Sequence, residues 1–174
     1  MRDSIMRQHP ICTVLVVFLW LISPASGDDQ ARFATLEGNS ASLDEFTGHG
    51  KWLVVKIWAS TCHVCNETAR EMVALSTNRK HDLQVLGIAV DGLPNRDGVL
   101  AFIEHHGLNY PTLLDDGRGA AYVYRRGVQR DWGGWTPTYL IFTPGGELVA
   151  QNIGAIAESD VVRFVDNYTA ESGS

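Results

Sequence analysis

The sequence predicts an α/β domain with a mixed β-sheet flanked by helices, and three observations carry that expectation. Apolar runs of strand length alternate along the chain with segments of helical periodicity. One run, Lys51 to Ala59 (KWLVVKIWA), is almost continuously apolar and β-branched or aromatic, as expected of a strand buried on both faces. The chain closes with two strands joined by a tight turn and then a helix, so the sheet must hold antiparallel as well as parallel strands. With 174 residues, 45% apolar and 20% charged, the composition fits one globular domain. A formal net charge of −6 argues against a phosphate-tracking basic surface, so no nucleic acid partner is expected.

Residues 1–27 read as a secretory signal, leaving residues 28–174 as the domain. Arg2 and Arg7 give a positive start, Ile11 to Ile22 is an apolar run broken only by Thr13, and Ala25-Ser26-Gly27 offers small residues before Asp28. The run is too short to span a bilayer core comfortably, which takes roughly 20 residues, although an uncleaved signal would act as an anchor. The expected location is therefore the periplasm or another extracytoplasmic space. Removing the signal takes Cys12 with it and leaves Cys62 and Cys65, a single close pair in a compartment where thiols are oxidised.

In chain order, residues 33–46 form a short hairpin turning at Gly38-Asn39, ahead of the main fold. The strand Lys51 to Ala59 ends at the cysteines. From Cys62 to about Lys80 there is no Pro or Gly, and Cys65, Ala69, Met72 and Val73 recur at helical spacing, so one helix is expected there. A strand at Leu83 to Val90 is broken by Asp91-Gly92-Leu93-Pro94. Val99, Leu100 and Ile103 mark a second helix that stops at Gly107, and Tyr110 to Leu114 reads as a short strand. Ala120, Val123 and Tyr124 mark a third helix, followed by an Arg- and Trp-rich loop from Arg125 to Trp135 that offers a basic, aromatic rim to a partner. Strands at Thr138 to Phe142 and Leu148 to Asn152 flank Pro144-Gly145-Gly146. The final helix, with Ser159 as its cap, carries Val161, Phe164, Val165 and Tyr168 on one face.

Cys62-His63-Val64-Cys65 follows the buried strand and opens a helix, where three-residue spacing puts both sulfurs on one face at bridging distance. Unpaired N–H groups and the dipole at a helix N-terminus stabilise a thiolate, so Cys62 is the expected nucleophile. Cys65, one turn deeper, is the expected resolving thiol. A zinc site would need four ligands, and His49, His63, His81, His105 and His106 show no ligand spacing around the pair, so no metal is expected. A Cu(I) carrier using Cys62, Cys65 and His63 is the competing reading, because soft thiolates suit that ion.

Val54 to Cys65, with its Trp58-Ala59 dipeptide before the Cys-x-x-Cys, resembles the thioredoxin superfamily, specifically its exported TlpA/ResA-like thiol-disulfide oxidoreductases. Trp135-Thr136-Pro137-Thr138 is similar to the family segment that sets a cis-proline opposite the cysteines. The resemblance implies a thioredoxin-like fold with an N-terminal β-hairpin and a helix-strand insertion at residues 94–126. It implies a protein-disulfide oxidoreductase of the cell envelope whose only cofactor is the redox-active Cys62–Cys65 pair. A reductant is favoured, serving for example cytochrome c maturation or copper-site assembly. The implied partners are substrate proteins with disulfides or thiols and an envelope electron donor, and the implied substrate-binding residues are Trp58, Thr136 and Pro137.

The sequence departs from these relatives near the dithiol. Lys56 takes the position where thioredoxins have a buried Asp, and Thr68 and Arg70 stand where the relatives carry Glu and Pro, with Glu67 or Glu71 as out-of-register substitutes. Lys56 and His63 are therefore the expected pKa-tuning residues, since a cation favours the thiolate and makes the disulfide a stronger oxidant. The alternative for Lys56 is an amine that snorkels to the sheet edge. Ala59 stands where a peroxiredoxin-like site has Thr, which demotes peroxidase chemistry.

Overall fold

The computed structural model describes residues 31–172; the expected signal, residues 1–27, lies outside them. Seven strands form one sheet: β1 (Arg32–Thr35), β2 (Ser40–Ser42), β3 (Trp52–Trp58), β4 (Leu83–Ala89), β5 (Thr112–Leu114), β6 (Thr138–Phe142) and β7 (Leu148–Ile153). Their spatial order is β2-β1-β5-β4-β3-β6-β7. β3 and β5 flank β4 in parallel, and the other pairings are antiparallel. The N-terminal hairpin is therefore no separate preface, because β1 pairs with β5 and extends the sheet to its edge.

Every residue of β3 is buried, as its apolar run requires of a central strand. Leu53, Val55 and Ile57 face α4 (Arg118–Val128), packing with Ala120, Val123 and Tyr124. Trp52 and Val54 face the opposite layer, against Met72 and Leu75 of α2 (Ala69–Asn78) and Val161 and Val165 of α5 (Glu158–Ser172). Farther along that face, Trp58 packs with Cys65 of α1 (His63–Glu67) and with Val99 and Phe102 of α3 (Arg96–His106).

Three expectations need correction. The helix from Cys62 to Lys80 is two helices, broken at Thr68, whose hydroxyl donates back to the Val64 carbonyl at 2.8 Å. Such back-bonding competes with the regular ladder and bends a helix. Ser159 lies inside α5 rather than capping it; the Glu158 N–H instead donates to the Glu71 carboxylate of α2 at 2.7 Å. Arg125 and Arg126 belong to the last turn of α4, on the far side of the sheet from α1, where positive charge suits the helix C-terminus.

Candidate active site

β3 delivers the chain to Cys62 through a short loop fixed from a neighbouring strand. The Ser60 N–H donates to both Asp91 carboxylate oxygens, at 3.1 and 3.0 Å, and Asn95 Nδ2 donates to Ser60 Oγ at 3.1 Å. Asp91 read in the sequence only as part of a chain break. Its carboxylate, just past the end of β4, anchors the turn that places the cysteines.

Cys62 is the N-cap of α1, and its Sγ accepts the Cys65 N–H at 3.1 Å. The two cysteines form a disulfide with their Cα atoms 5.2 Å apart. Their environments differ: Cys62 is partly exposed and Cys65 is 0% exposed. A partner thiol or disulfide can reach only Cys62.

Across the site, the Thr136–Pro137 peptide is cis, and the Thr136 carbonyl oxygen lies 3.3 Å from Cys62 Sγ. Pro137 itself is buried, and its carbonyl accepts the Gly154 N–H at 2.8 Å, which ties the segment to the end of β7. The cis peptide thus places Thr136 and Pro137 opposite the cysteines. Trp58 does not reach a substrate: its ring is 0% exposed and stacks on Phe102 at 4.4 Å between centroids. The exposed aromatic is Trp135, 56% accessible, whose ring folds over Gly133 so closely that a Cβ there would lie 2.6 Å from it. Trp135 adjoins Thr136 in the chain and offers an exposed apolar surface next to the cis-proline segment.

Lys56 cannot snorkel, since β3 has neighbours on both sides and the residue is 1% exposed. Its Nζ instead donates to the Cys65 carbonyl at 3.4 Å, which places the amine under the inner cysteine. Burial, which penalises the ammonium form, lowers the lysine to about 8. His63 is turned outward, with its side chain 86% exposed and Nε2 3.1 Å from Glu67 Oε1. A solvated imidazole beside a carboxylate lends the sulfurs little positive charge. Neither acidic substitute serves the dithiol, because Glu67 meets His63 and Glu71 caps α5.

Sequence reasoning missed a second contact to the reactive turn. Asn66 Nδ2 donates to the Cys62 carbonyl at 2.9 Å, and Asn66 Oδ1 lies 3.0 Å from His106 Nε2. The His106 ring rests on Phe102, and its pKa is lowered chiefly by burial, then by the neighbouring His105 and by Lys56 and Arg70. No local pattern links residue 106 to residue 62; only the packing of α3 against α1 does.

Similarity to known proteins agrees with this geometry. The model of the AhpC/TSA family matches residues 27–151. The thiol-disulfide oxidoreductase ResA of Halalkalibacterium halodurans is 28% identical over 143 residues, covering 81% of this chain and 76% of that protein. ResA of Bacillus subtilis is 23% identical over 152 residues, covering 86% and 79%. A secreted Mycobacterium tuberculosis disulfide oxidoreductase homologous to E. coli DsbE shares the fold with a TM-score of 0.60 at 21% identity, over 79% of this chain and 95% of that one. A dithiol pair at the start of a helix, opposed by a cis-proline segment and set on this sheet, together with a family match over most of its length, shows that the chain belongs to the AhpC/TSA family and, within it, to the thioredoxin-like thiol-disulfide oxidoreductases.

Proposed function

We propose that the protein is an exported reductant of the cell envelope that passes two electrons from the Cys62–Cys65 dithiol to disulfides of substrate proteins. The observation that carries this reading is the asymmetry of the pair, one sulfur accessible at a helix N-terminus and the other sealed beneath it. In the reduced protein the Cys62 thiolate attacks one sulfur of a substrate disulfide; a mixed disulfide forms and the first substrate sulfur leaves as a thiolate that takes up a proton. Cys65 then loses its proton and attacks Cys62 Sγ. The second substrate thiolate departs, and the protein is left as the disulfide. Trp135 and the Thr136 backbone hold the substrate segment beside Cys62. An envelope electron donor restores the dithiol. The signal-like residues 1–27 support an extracytoplasmic location, and among the described residues no helix is long and apolar enough to cross a membrane.

Stopped-flow mixing of the reduced protein with an oxidised Cys-x-x-Cys peptide tests the reading. One equivalent of peptide dithiol should appear per protein disulfide formed. Trp135→Ala should slow the second-order step several-fold without changing the equilibrium. A reduced protein that transfers no electrons yet binds one Cu(I) per chain would replace this proposal with the copper carrier.

A further inference from the structure

α1 must hold Cys62 in place with little of its own to do so. It is five residues long, too short to persist without outside contacts, and Cys65 is its only buried residue. The Cys65 N–H reaches Cys62 Sγ at 3.1 Å, and that sulfur lies 3.3 Å from the Thr136 carbonyl oxygen. Both contacts run through the sulfur, the atom that changes partners during exchange. The Cys62 carbonyl is tied independently of it. One residue, Asn66, fills both its lone pairs, with the backbone N–H at 3.2 Å and Nδ2 at 2.9 Å.

Behind Asn66 stands His106, the last residue of α3 before Gly107 turns left-handed at φ 61°. A carbonyl only accepts, so the amide nitrogen of Asn66 faces Cys62 and its Oδ1 faces His106 Nε2, 3.0 Å away. Nε2 must therefore carry a hydrogen. The neutral Nε2–H tautomer and the imidazolium both meet that demand, so the bridge needs no charge. The ring is fixed from its other side by a stack, Trp58 on Phe102 at 4.4 Å and Phe102 on His106 at 4.3 Å between centroids. Trp58 is 0% exposed in β3, so the stack ties His106 to the strand that delivers the cysteines. A histidine in the last turn of a helix serves the dipole only as a cation. Burial, with His105 of its own helix, Lys56 of β3 and Arg70 of α2, lowers the pKa of His106. Near neutral pH the ring is uncharged, and the hydrogen bond to Asn66 is what it contributes.

We propose that His106 is a positioning residue for the exchange reaction: through Asn66 it holds the Cys62 carbonyl, and so keeps the Cys62 sulfur over the Cys65 N–H while the disulfide is open. Without the histidine donor the Asn66 amide is free to turn away, the Cys62 carbonyl loses its side-chain partner, and the thiolate loses register with the N–H that stabilises it. The inference rests on thiol-disulfide exchange by Cys62.

Alkylation of the reduced full-length protein by iodoacetamide across pH tests it. His106→Phe keeps a ring on Phe102 but removes the donor, whereas His106→Gln keeps a donor for Asn66 Oδ1. Below the Cys62 pKa, His106→Phe should react about fivefold more slowly, the effect of one lost hydrogen bond on the thiolate fraction. His106→Gln should restore the wild-type rate. Above that pKa all variants should reach plateaus within about twofold of each other, because thiolate nucleophilicity varies little with pKa; loosened packing around the sulfur would move the plateau instead. In an Asn66→Ala background, His106→Phe should cause no further slowing. Nitrogen-15 NMR of the reduced wild type should show the neutral ring protonated at Nε2. A proton on Nδ1, a His106→Gln protein as slow as His106→Phe, or a His106→Phe effect equal in both backgrounds overturns the positioning role. Failure of the wild-type protein to exchange with an oxidised Cys-x-x-Cys peptide would instead overturn the proposed function.

Discussion

Replacing Cys65 with Ser should trap a stable mixed disulfide between Cys62 and a substrate, and replacing Cys62 should abolish exchange altogether. The expectation follows from access: the inner sulfur is 0% exposed, so it can attack only intramolecularly, whereas the outer one faces solvent beside Thr136. Without Cys65 the covalent intermediate has no resolving nucleophile. Non-reducing gel analysis with an oxidised peptide should show the adduct accumulating to near stoichiometry in Cys65→Ser and none in Cys62→Ser. In the reduced wild type, iodoacetamide should modify Cys62 at least tenfold faster than Cys65, since rate follows thiolate fraction and exposure. Faster labelling of Cys65 would reverse the two roles.

Lys56→Met should raise the Cys62 pKa and make the couple more reducing. A cation beneath Cys65 stabilises the thiolate form of the dithiol by an amount of order 1 kcal/mol and has no thiolate to act on in the disulfide. Its removal therefore penalises the reduced state alone. The same substitution has a second signature in the oxidised protein. The folded lysine lies at about 8 against an ordinary 10.5. Between those pH values the unfolded chain holds a proton that the folded one has lost, so wild-type stability rises with pH across that window. Below pH 8 the oxidised Lys56→Met protein should be the more stable by about 3 kcal/mol, the charge-burial cost it no longer carries. The gap should close by pH 10.5. Urea unfolding at pH 7, 9 and 10.5 measures it, and parallel curves for the two proteins would show that the folded lysine keeps its ordinary pKa and carries no charge-burial cost.

What the sequence disclosed divides along a physical line. The β3 run, the hairpin at Pro144, the helix stop at Gly107 and the Cys-x-x-Cys spacing are local signals, and the structure carries all of them. Where a strand is buried on both faces, apolarity does not say which way each residue points. Trp58 was therefore placed at the substrate surface when it belongs to the floor against Phe102. Capping by Glu71 depends on a residue far from α5 in sequence, and the anchoring of Ser60 by Asp91 spans two strands. The burial of Lys56 was open for the same reason. A lysine in an apolar strand can snorkel or stay inside, and only the strand order, with β4 and β6 on either side, decides it. The helix break at Thr68 depends on its back-bond to Val64, and the same residue reaches the Tyr139 hydroxyl, at 3.4 Å.

The direction of electron flow is the most consequential part of the account, and equilibration with glutathione measures it most directly. The fraction of Cys62–Cys65 disulfide, quantified by thiol trapping across a series of glutathione ratios, should fit a single two-electron couple. For a reductant the protein should be mostly disulfide where glutathione is still largely reduced, and Lys56→Met should move the midpoint further in that direction, with about 30 mV corresponding to ~1.4 kcal/mol. A protein that keeps its dithiol in the presence of excess glutathione disulfide would be an oxidant, and the proposed role would be contradicted.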